Sequence, residues 1–386
     1  MSDSFALAGA RIFDGETWHD NAALVVRDGS IHGIVRDADG SITCIDLGGG
    51  IIAPGFIDLQ VNGGGGVMLN DGPSVETIRT ICAAHARFGT TALLPTLITD
   101  TREMTAAAVE AGAQAARQKV PGFLGLHLEG PHLSLARKGA HDPALIRPME
   151  EADEAALIAA RQRLPVLVTT VAPESVAPDR IRALSAADVI VSLGHTDTSY
   201  AQALDAVLAG ASMATHLFNA MSQIGNREPG LAGAVLDSGT LSAGLIADGI
   251  HVDAATMGIA LRAKNGPARI FLVTDAMATI GTDMKKFMLN GRTIKRENGR
   301  LTLEDGTLAG ADLDMISAVR FVHETLGLEL DEALRMASLY PAQAIGQGNR
   351  LGRFAPGSAA NILHLSDALE VRRVWIDGKQ AYRGGA

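Results

Sequence analysis

Short apolar runs alternate with amphipathic segments through the middle of the 386-residue chain. Each apolar run is short enough to form one buried strand, and the eight runs cover residues 55–61, 91–96, 123–128, 166–171, 189–193, 212–216, 242–247 and 270–273. Helical periodicity marks the segments between most of them, at residues 75–88, 102–118, 151–163, 200–209 and 254–264. Strands that alternate with helices indicate a parallel sheet. Eight such units favour a closed barrel, although a doubly wound open sheet would produce similar runs.

Both ends of the chain show a different pattern, in which short β-prone runs are joined by tight turns. The N-terminal runs are 7–13, 23–26, 30–35 and 42–46, and the turn pairs between them are Asp14-Gly15, Asp28-Gly29 and Asp39-Gly40. The C-terminal runs are 360–365, 371–376 and 380–382, with the turn Asp377-Gly378. Asp-Gly pairs between alternating runs are a strong hairpin signal. We expect one small sheet domain assembled from both termini; the alternative is two independent hairpins.

The predicted fold class is therefore α/β: a (β/α)8 TIM barrel with a small β-sandwich built from both termini. The expected boundaries are 1–53 for the N-terminal part of the sandwich, 54–350 for the barrel and 351–386 for the C-terminal part of the sandwich.

Composition narrows the possible environments and partners. A hydrophobic fraction of 47% excludes intrinsic disorder. A net charge of −10 disfavours nucleic acid and anionic membranes as partners. No apolar run approaches the ~18 residues of a membrane span, and Met1–Ser4 lacks the basic start of a signal peptide. Two cysteines outside any C-x-x-C pattern are typical of a reduced compartment, so we expect a cytoplasmic protein.

The 43 glycines are a clear excess over the usual ~7% of residues. They follow no repeat. They concentrate instead in the terminal turns, in a hairpin-like insertion at 287–303, and directly after the predicted barrel strands. Loops at strand ends are where a backbone must approach a ligand closely.

Chemically capable side chains follow several of the apolar runs, above all Glu129, His195, His216 and Asp275. The carboxyl ends of barrel strands meet at one mouth, where active sites are found. One carboxylate and two imidazoles match a catalytic zinc site that keeps an open position for water. Such a metal lowers the pKa of its water to about 7, and Asp275 could take the proton.

Each of these residues also has a plainer interpretation. A histidine after an apolar run can be a hydrogen-bonded core residue, Asp275 can cap a helix, and Glu129 can pair with a nearby arginine. The shared position of all four at strand ends favours a common site over four separate structural roles.

The residues around these positions resemble the N-acetylglucosamine-6-phosphate deacetylase family of the amidohydrolases. The resemblance runs over almost the whole chain, from Pro54–Asp58 to Leu308–Gly310, with a closing segment at 352–360 that is similar to other amidohydrolases. Its ordered motifs are GLHLEGPH at 125–132, KGAHDP at 138–143, SLGHTD at 192–197, THLFNAM at 215–221, REPG at 227–230, DGIH at 248–251 and TDA at 274–276.

The resemblance implies a metal-dependent enzyme that removes acetate from N-acetyl-D-glucosamine 6-phosphate to give D-glucosamine 6-phosphate, in amino-sugar catabolism or cell-wall recycling. By this resemblance Glu129, His195 and His216 bind the metal. Asp275 acts as general base and then general acid, and His141 contacts the sugar and polarises the scissile carbonyl. The remaining substrate contacts that it implies are Ala140, Asn219, Ala220, Arg227, His251, Leu308, Ala309 and Gly310.

The chain departs from the wider pattern at the end of the first strand. Many amidohydrolases carry His-x-His there and bind a second metal, whereas this chain has Gln60 and Asn62. Neutral amides are poor zinc ligands beside imidazole, so we expect one divalent metal per chain, with zinc first and iron, cobalt or manganese as alternatives. His132 stands where the family often has Phe, and we expect it to serve its loop rather than bind the metal.

The resemblance further implies a homodimer in which Arg227 reaches the neighbouring site. Two rival functions stay open. One is another amidohydrolase, such as a cyclic-amide hydrolase or a base deaminase, although these usually carry His-x-His. The other is a non-catalytic barrel that binds a sugar phosphate, although such a relative is expected to lose the metal ligands or the acid/base.

Overall fold

The computed structural model of the chain describes residues 4–36 and 42–384. The expected Asp39-Gly40 turn and the first three residues lie outside this part of the chain.

The strands in chain order are β1 (Phe5–Ala8), β2 (Arg11–Phe13), β3 (Trp18–His19), β4 (Ala23–Arg27), β5 (Ser30–Val35), β6 (Thr43–Asp46), β7 (Ile51–Pro54), β8 (Phe56–Val61), β9 (Gly63–Gly64), β10 (Val67–Met68), β11 (Thr90–Ile98), β12 (Leu126–Glu129), β13 (Leu167–Val171), β14 (Ile190–Leu193), β15 (Met213–Ala214), β16 (Ser242–Leu245), β17 (Ile270–Leu272), β18 (Lys286–Leu289), β19 (Arg292–Glu297), β20 (Arg300–Thr302), β21 (Ile362–Leu365), β22 (Val371–Ile376) and β23 (Lys379–Arg383). The helices are α1 (Val75–Ala86), α2 (Arg102–Arg117), α3 (Glu151–Arg161), α4 (Pro178–Ala186), α5 (Tyr200–Leu208), α6 (Gly230–Asp237), α7 (Ala254–Ala263), α8 (Met315–Arg320), α9 (Leu330–Ala337) and α10 (Leu339–Ala344).

Eight parallel strands form the central sheet in the order β17-β16-β15-β14-β13-β12-β11-β8. Each strand lies beside its predecessor among the barrel strands, which is the arrangement of a TIM barrel. The sheet closes between β8 and β17, where Asp275 N–H donates to the Gln60 carbonyl at 3.0 Å and Asn62 N–H donates to the Ala276 carbonyl at 2.9 Å. The predicted barrel is confirmed, and the open-sheet alternative is wrong.

Helix boundaries follow from local capping. The side chain of Thr101 accepts the Met104 N–H at the start of α2, and Ser199 forms a capping box with Gln202 at the start of α5. Such caps satisfy backbone donors that the first helical turn leaves free. The five predicted helices are all present, but α4, α6, α8, α9 and α10 were not predicted because they are short or lack a clean apolar stripe.

The predicted barrel strands are shortened most at two of the apolar runs. The run at 212–216 yields only Met213–Ala214, because His216 adopts a left-handed backbone conformation with φ of 31° and leaves the ladder. The run at 123–128 begins its strand only at Leu126, after Gly125 with φ of 155°. In both cases the local backbone makes the strand shorter than the apolar run.

The chain ends combine into two further sheets. A four-stranded sheet has the order β5-β4-β1-β6, and a six-stranded sheet has the order β23-β22-β21-β7-β2-β3. The second sheet joins both termini, since β7 pairs with β21. Buried Leu7 and Leu24 of one sheet pack with Ile52 and Trp375 of the other. The termini therefore form one unit, and the alternative of two independent hairpins is wrong; the exact domain boundaries stay a prediction.

None of the helices described here combines the length and the apolar character that crossing a membrane requires.

Candidate active site

The four candidate residues all follow barrel strands at the same end of the barrel. Glu129 is the last residue of β12, His195 and His216 lie two residues beyond β14 and β15, and Asp275 lies three residues beyond β17. All four are buried, with at most 8% of their surface exposed. The fold therefore brings together residues that are far apart in sequence.

Three of these side chains converge on a single point. Oε1 of Glu129 lies 3.3 Å from Nε2 of His195 and 3.2 Å from Nε2 of His216. The two Nε2 atoms lie 3.1 Å from each other. Nε2 of His141 lies farther away, 3.9 Å from Oε2 of Glu129. Glu129, His141 and His195 also meet the spacing expected of a metal-holding group.

The hydrogen bonds of the Nδ1 atoms distinguish His195 from His141. Nδ1 of His195 lies 2.8 Å from the carbonyl oxygen of Arg137 and must donate to it, so a neutral ring presents a lone pair on Nε2. The Thr99 N–H points at Nδ1 of His141 at 3.3 Å. A backbone N–H can only donate, so neutral His141 carries its hydrogen on Nε2. His195 is therefore prepared as a metal ligand, and His141 as a hydrogen-bond donor.

The donor set fits a divalent cation. A carboxylate oxygen and two imidazole nitrogens stand within 3.3 Å of one another in a buried site. Nδ1 of His216 is buried without a partner in the described part of the chain. One carboxylate and two histidines form a ligand set that proteins use for catalytic zinc. The residues present can therefore hold the metal that the sequence predicts.

Asp275 is held by the two amides that replace His-x-His. Nδ2 of Asn62 donates to Oδ1 of Asp275 at 2.6 Å, and Nε2 of Gln60 reaches the same oxygen at 3.2 Å. Gln60 also donates to Oε1 of Glu129 at 3.0 Å. Both amides bond the same Asp275 oxygen, so Oδ2 is left for a water or a substrate. Oδ1 of Asn62 is buried and unpartnered in the described residues.

Three of the four candidate residues carry a backbone conformation that L-residues rarely adopt. The φ angles of His195, His216 and Asp275 are 48°, 31° and 52°. A left-handed conformation at a non-glycine residue costs about 1–3 kcal/mol and persists where surrounding contacts enforce it. Such residues concentrate at functional sites.

The buried carboxylate of Asp58 holds the backbone next to Asp275. Oδ2 of Asp58 accepts the Thr274 hydroxyl at 2.5 Å, and Oδ1 accepts the Thr274 N–H at 3.2 Å. Asp58 also accepts the N–H of Gln60 at 3.3 Å. Burial raises the pKa of Asp58 to about 7. Asp58 thus joins the first and last barrel strands directly beside Asp275.

The electrostatics separate the two active-site carboxylates. Burial opposes ionisation of Glu129, but the hydrogen bonds of His195 and His216 hold the pKa of Glu129 well below its ordinary value. Burial and the nearby charge of Glu129 raise the pKa of Asp275 to about 6. Burial lowers the pKa of His141 to about 3, so its ring is neutral. Glu129 is therefore a permanent anion, while Asp275 can exchange a proton near neutral pH.

The site opens into a cavity of about 390 Å³. Besides Glu129, His141, His195, His216 and Asp275, the expected substrate residues that line it are Ala140, Asn219, Ala220, His251, Leu308, Ala309 and Gly310. Nδ1 of His251 lies 2.6 Å from Oδ2 of Asp248, which orients the ring.

Arg227 and His132, both singled out in the sequence, do not line this cavity. Arg227 is exposed and lies outside its lining. His132 is buried outside the lining as well, with Nδ1 3.1 Å from the Arg147 carbonyl, which agrees with its expected loop role.

Gly310 shows why the loop at 308–310 carries a glycine. Its φ is 63°, and a Cβ there would lie 2.5 Å from Sδ of Met277 and 2.9 Å from the carbonyl oxygen of Asp275. The next residue, Ala311, donates its N–H to that same carbonyl at 2.9 Å. The loop therefore packs directly on the backbone of Asp275.

Sequence reasoning placed Asp58 and Asp248 among the polar residues of the apolar runs but gave them no role, and it missed Thr99. Asp58 holds Thr274, the neighbour of Asp275, while Thr99 and Asp248 orient His141 and His251. The position of Thr99 directly after β11 could have marked it as a candidate. The carbonyl of Arg137 also orients His195, but a main-chain carbonyl leaves no trace in the residue type.

Known proteins are similar to this chain over almost its whole length. The sequence profile of the amidohydrolase family matches residues 51–381. An N-acetylgalactosamine-6-phosphate deacetylase from Shewanella sp. (strain ANA-3) is 42% identical, over 97% of this chain and 95% of its own length.

Solved structures extend the similarity to the fold. The crystal structure of N-acetylglucosamine-6-phosphate deacetylase from Pasteurella multocida superposes with a TM-score of 0.94 at 36% identity, covering 99% of this chain and 100% of the other. The corresponding Mycobacterium smegmatis enzyme, solved as an aspartate-to-alanine mutant in complex with N-acetyl-D-glucosamine-6-phosphate, has a TM-score of 0.90 at 30% identity, covering 98% and 99%.

The fold and the site define an amidohydrolase. The chain belongs to that family and, within it, to the N-acetylglucosamine- and N-acetylgalactosamine-6-phosphate deacetylases. The expected family and the expected enzyme class, a hydrolase acting on a linear amide, are confirmed.

Proposed function

We propose that this enzyme hydrolyses the acetamide of N-acetyl-D-glucosamine 6-phosphate, releasing acetate and D-glucosamine 6-phosphate. The observation that carries the proposal is the convergence of Glu129, His195 and His216 within 3.3 Å of one another, beside Asp275. The similarity to the Pasteurella and Mycobacterium enzymes supports the sugar phosphate as substrate. The pathway served is amino-sugar catabolism or cell-wall recycling.

Glu129, His195 and His216 would hold one divalent metal. When bound, the metal supplies a Lewis acid that lowers the pKa of a water molecule and polarises the acetyl carbonyl. The hydrogen bond from His195 Nδ1 to the Arg137 carbonyl keeps the ring turned toward the metal position. We assign zinc, since a carboxylate and two imidazoles suit it; iron, cobalt and manganese accept the same ligands.

Asp275 moves the proton in both halves of the reaction. Its ionised carboxylate takes a proton from the attacking water through Oδ2, the oxygen that Asn62 and Gln60 leave free. The water oxygen bonds to the acetyl carbon, and the carbon–nitrogen bond then breaks. Asp275 returns the proton to the departing nitrogen, which leaves as an amine. A raised pKa suits a group that must both accept and release a proton.

His141 stabilises the carbonyl oxygen as it gains negative charge. Its neutral ring carries the hydrogen on Nε2, on the side of the ring that faces Glu129. A fixed donor of this kind contributes by electrostatic preorganisation, commonly about 10²–10³-fold in rate. Because burial lowers the pKa of His141, its ring stays neutral and its Nε2 remains a hydrogen-bond donor across the neutral pH range.

His251 and Arg227 are assigned to the phosphate. His251 lines the cavity, and its Nδ1 is engaged by Asp248, so Nε2 is available to the ligand. Arg227 is exposed and outside the cavity of its own chain. We therefore infer that it acts from the other subunit of a homodimer, where its guanidinium can bind phosphate oxygens.

A second substrate is favoured by one specific observation. The Shewanella relative, at 42% identity, is an N-acetylgalactosamine-6-phosphate deacetylase. Its substrate differs from the first only in configuration at C4, remote from the acetamide, so the same catalytic residues would serve. Measuring kcat/KM for the glucosamine and the galactosamine substrate decides which of the two the enzyme prefers.

The two cysteines support a cytoplasmic location. Cys44 is exposed and Cys82 is buried, and both are free thiols. Exposed free thiols are typical of reducing compartments.

The direct experiment incubates purified, zinc-loaded protein with each N-acetylhexosamine 6-phosphate and measures acetate and primary amine. Equal release of both products supports the proposal. Release of ammonia would favour a deaminase, and failure to bind a divalent metal would favour a non-catalytic barrel.

A further inference from the structure

A second cavity lies in the terminal β-sandwich, and it shares no lining residue with the active-site cavity. Its volume is about 390 Å³. Three arginines line it, Arg372, Arg373 and Arg383, while Asp367 is its one acidic lining residue in the described part of the chain. This excess of positive charge stands out in a chain with a net charge of −10.

The strand register places two of these arginines side by side. Arg373 of β22 pairs directly with Arg383 of β23 in an antiparallel ladder. Directly opposed residues on such strands point to the same face, with Cβ atoms about 4.5–5.5 Å apart, and like charges there destabilise the sheet. In the described part of the chain, neither the Arg373 nor the Arg383 guanidinium group has an ion pair or a hydrogen bond. Arg372 differs, because it pairs with Glu370 at 3.2 Å.

Protection of a sheet edge does not explain this pair. Cationic side chains on edge strands discourage unwanted strand pairing, and β23 is an edge strand of the six-stranded sheet. Arg373, however, lies on β22, which has a neighbouring strand on each side. Its charge therefore needs another explanation.

Three consecutive glycines also line the cavity. Gly48, Gly49 and Gly50 have φ angles of 70°, 110° and 82°, and a Cβ added at Gly48 or Gly49 would meet nothing within 4 Å. His364, which opposes Arg373 in the sheet, fixes this glycine segment, since its Nε2 donates to the Gly49 carbonyl at 2.9 Å. Gly48 and Gly49 therefore leave open space beside their backbone at the cavity.

We propose that Arg373 and Arg383, with Arg372 at the rim, form a binding site for a phosphate dianion, either inorganic phosphate or the phosphate of a sugar ester. A dianion between the two unpaired guanidinium groups removes their repulsion and forms charge-assisted hydrogen bonds. The site is independent of the proposed catalytic function, because it lies on the sandwich and uses none of the active-site residues.

The test compares wild type with R373Q/R383Q, using R27Q as the matched control. Arg27 is an exposed arginine on β4 of the other sandwich sheet and is not part of this cavity. Calorimetric titration with inorganic phosphate, at constant ionic strength, should give one phosphate fewer per chain in R373Q/R383Q than in wild type and R27Q. The thermal shift that phosphate causes should shrink in the double variant. Without phosphate, the double variant should melt at the same temperature as wild type or higher.

A second titration with glucose 6-phosphate identifies the source of the phosphate group. Loss of one glucose 6-phosphate site in R373Q/R383Q assigns the site to a sugar ester. Loss of a site for inorganic phosphate alone assigns it to the free ion. Equal stoichiometry for both probes in wild type and R373Q/R383Q would overturn the proposal. Deacetylase kcat/KM should be unchanged in all variants, so this result is separate from the test of the proposed function.

Discussion

The side-chain amide of Asn62 donates to Oδ1 of Asp275 at 2.6 Å. This contact joins the end of the first barrel strand to the residue that follows the last one. Gln60, two positions earlier, reaches the same oxygen and Glu129 as well. Where other amidohydrolases carry His-x-His for a second metal, this chain has two amides that hold its two active-site carboxylates.

Replacing Asp275 by Asn should abolish most of the turnover and leave the metal in place. The substitution removes the proton acceptor, and general acid–base catalysis is commonly worth about 10²–10⁴-fold. It leaves Glu129, His195 and His216 untouched. The check is kcat, together with zinc content on the same sample. Retention of most of the activity would remove Asp275 from this role.

Metal analysis should find about one equivalent per chain after loosely bound metal is removed, because amides are poor ligands beside imidazole. The variant Q60H/N62H restores His-x-His and should raise the bound metal toward two equivalents. Glu129→Gln should lower it, since the proposed site then loses its only anionic ligand. Clearly more than one equivalent in wild type would contradict the single-metal account.

Replacing Asn62 by Ala should move the acid limb of the pH profile to higher pH. The Asn62 amide stabilises the ionised form of Asp275, so its removal raises the pKa of Asp275. The reaction needs the ionised base, and kcat/KM therefore falls as pH drops through that pKa. His132→Phe serves as the control, since His132 lies outside the cavity. An acid limb that does not move in N62A would show that another group controls it.

Replacing Arg227 by Ala should raise KM for the phosphorylated substrate by ~10-fold or more, because a hydrogen bond to a charged group contributes about 1.5–3 kcal/mol. KM for free N-acetylglucosamine should change little, because it has no phosphate. Arg27→Ala is the matched control for loss of one surface charge. Equal effects of R227A on both substrates would argue against a phosphate contact.

Much of the barrel could be predicted from the sequence, because alternation of apolar runs and helical segments reflects burial directly. Strand ends were harder to place. The predicted strand at 212–216 keeps only Met213–Ala214, since the left-handed turn at His216 depends on contacts from other strands. Short helices such as α6 and α10 are stabilised by packing, which a single sequence does not display.

The candidate site, too, could be predicted only in part from the sequence. Glu129, His195, His216 and Asp275 were predictable because each is a reactive side chain after an apolar run. The role of Gln60 as a donor to two carboxylates could not be predicted. An amide at this position of the sequence shows only that a metal-binding histidine is absent. The hydrogen bond between Asp58 and Thr274 joins residues 216 positions apart in sequence, and it forms only because the barrel closes.

The most direct test is acetate release by purified, zinc-loaded protein supplied with N-acetyl-D-glucosamine 6-phosphate, with N-acetyl-D-galactosamine 6-phosphate in parallel. The account predicts one acetate and one primary amine for each substrate molecule consumed, with D275N nearly inactive. No acetate from either sugar phosphate, with one metal bound per chain, would contradict it.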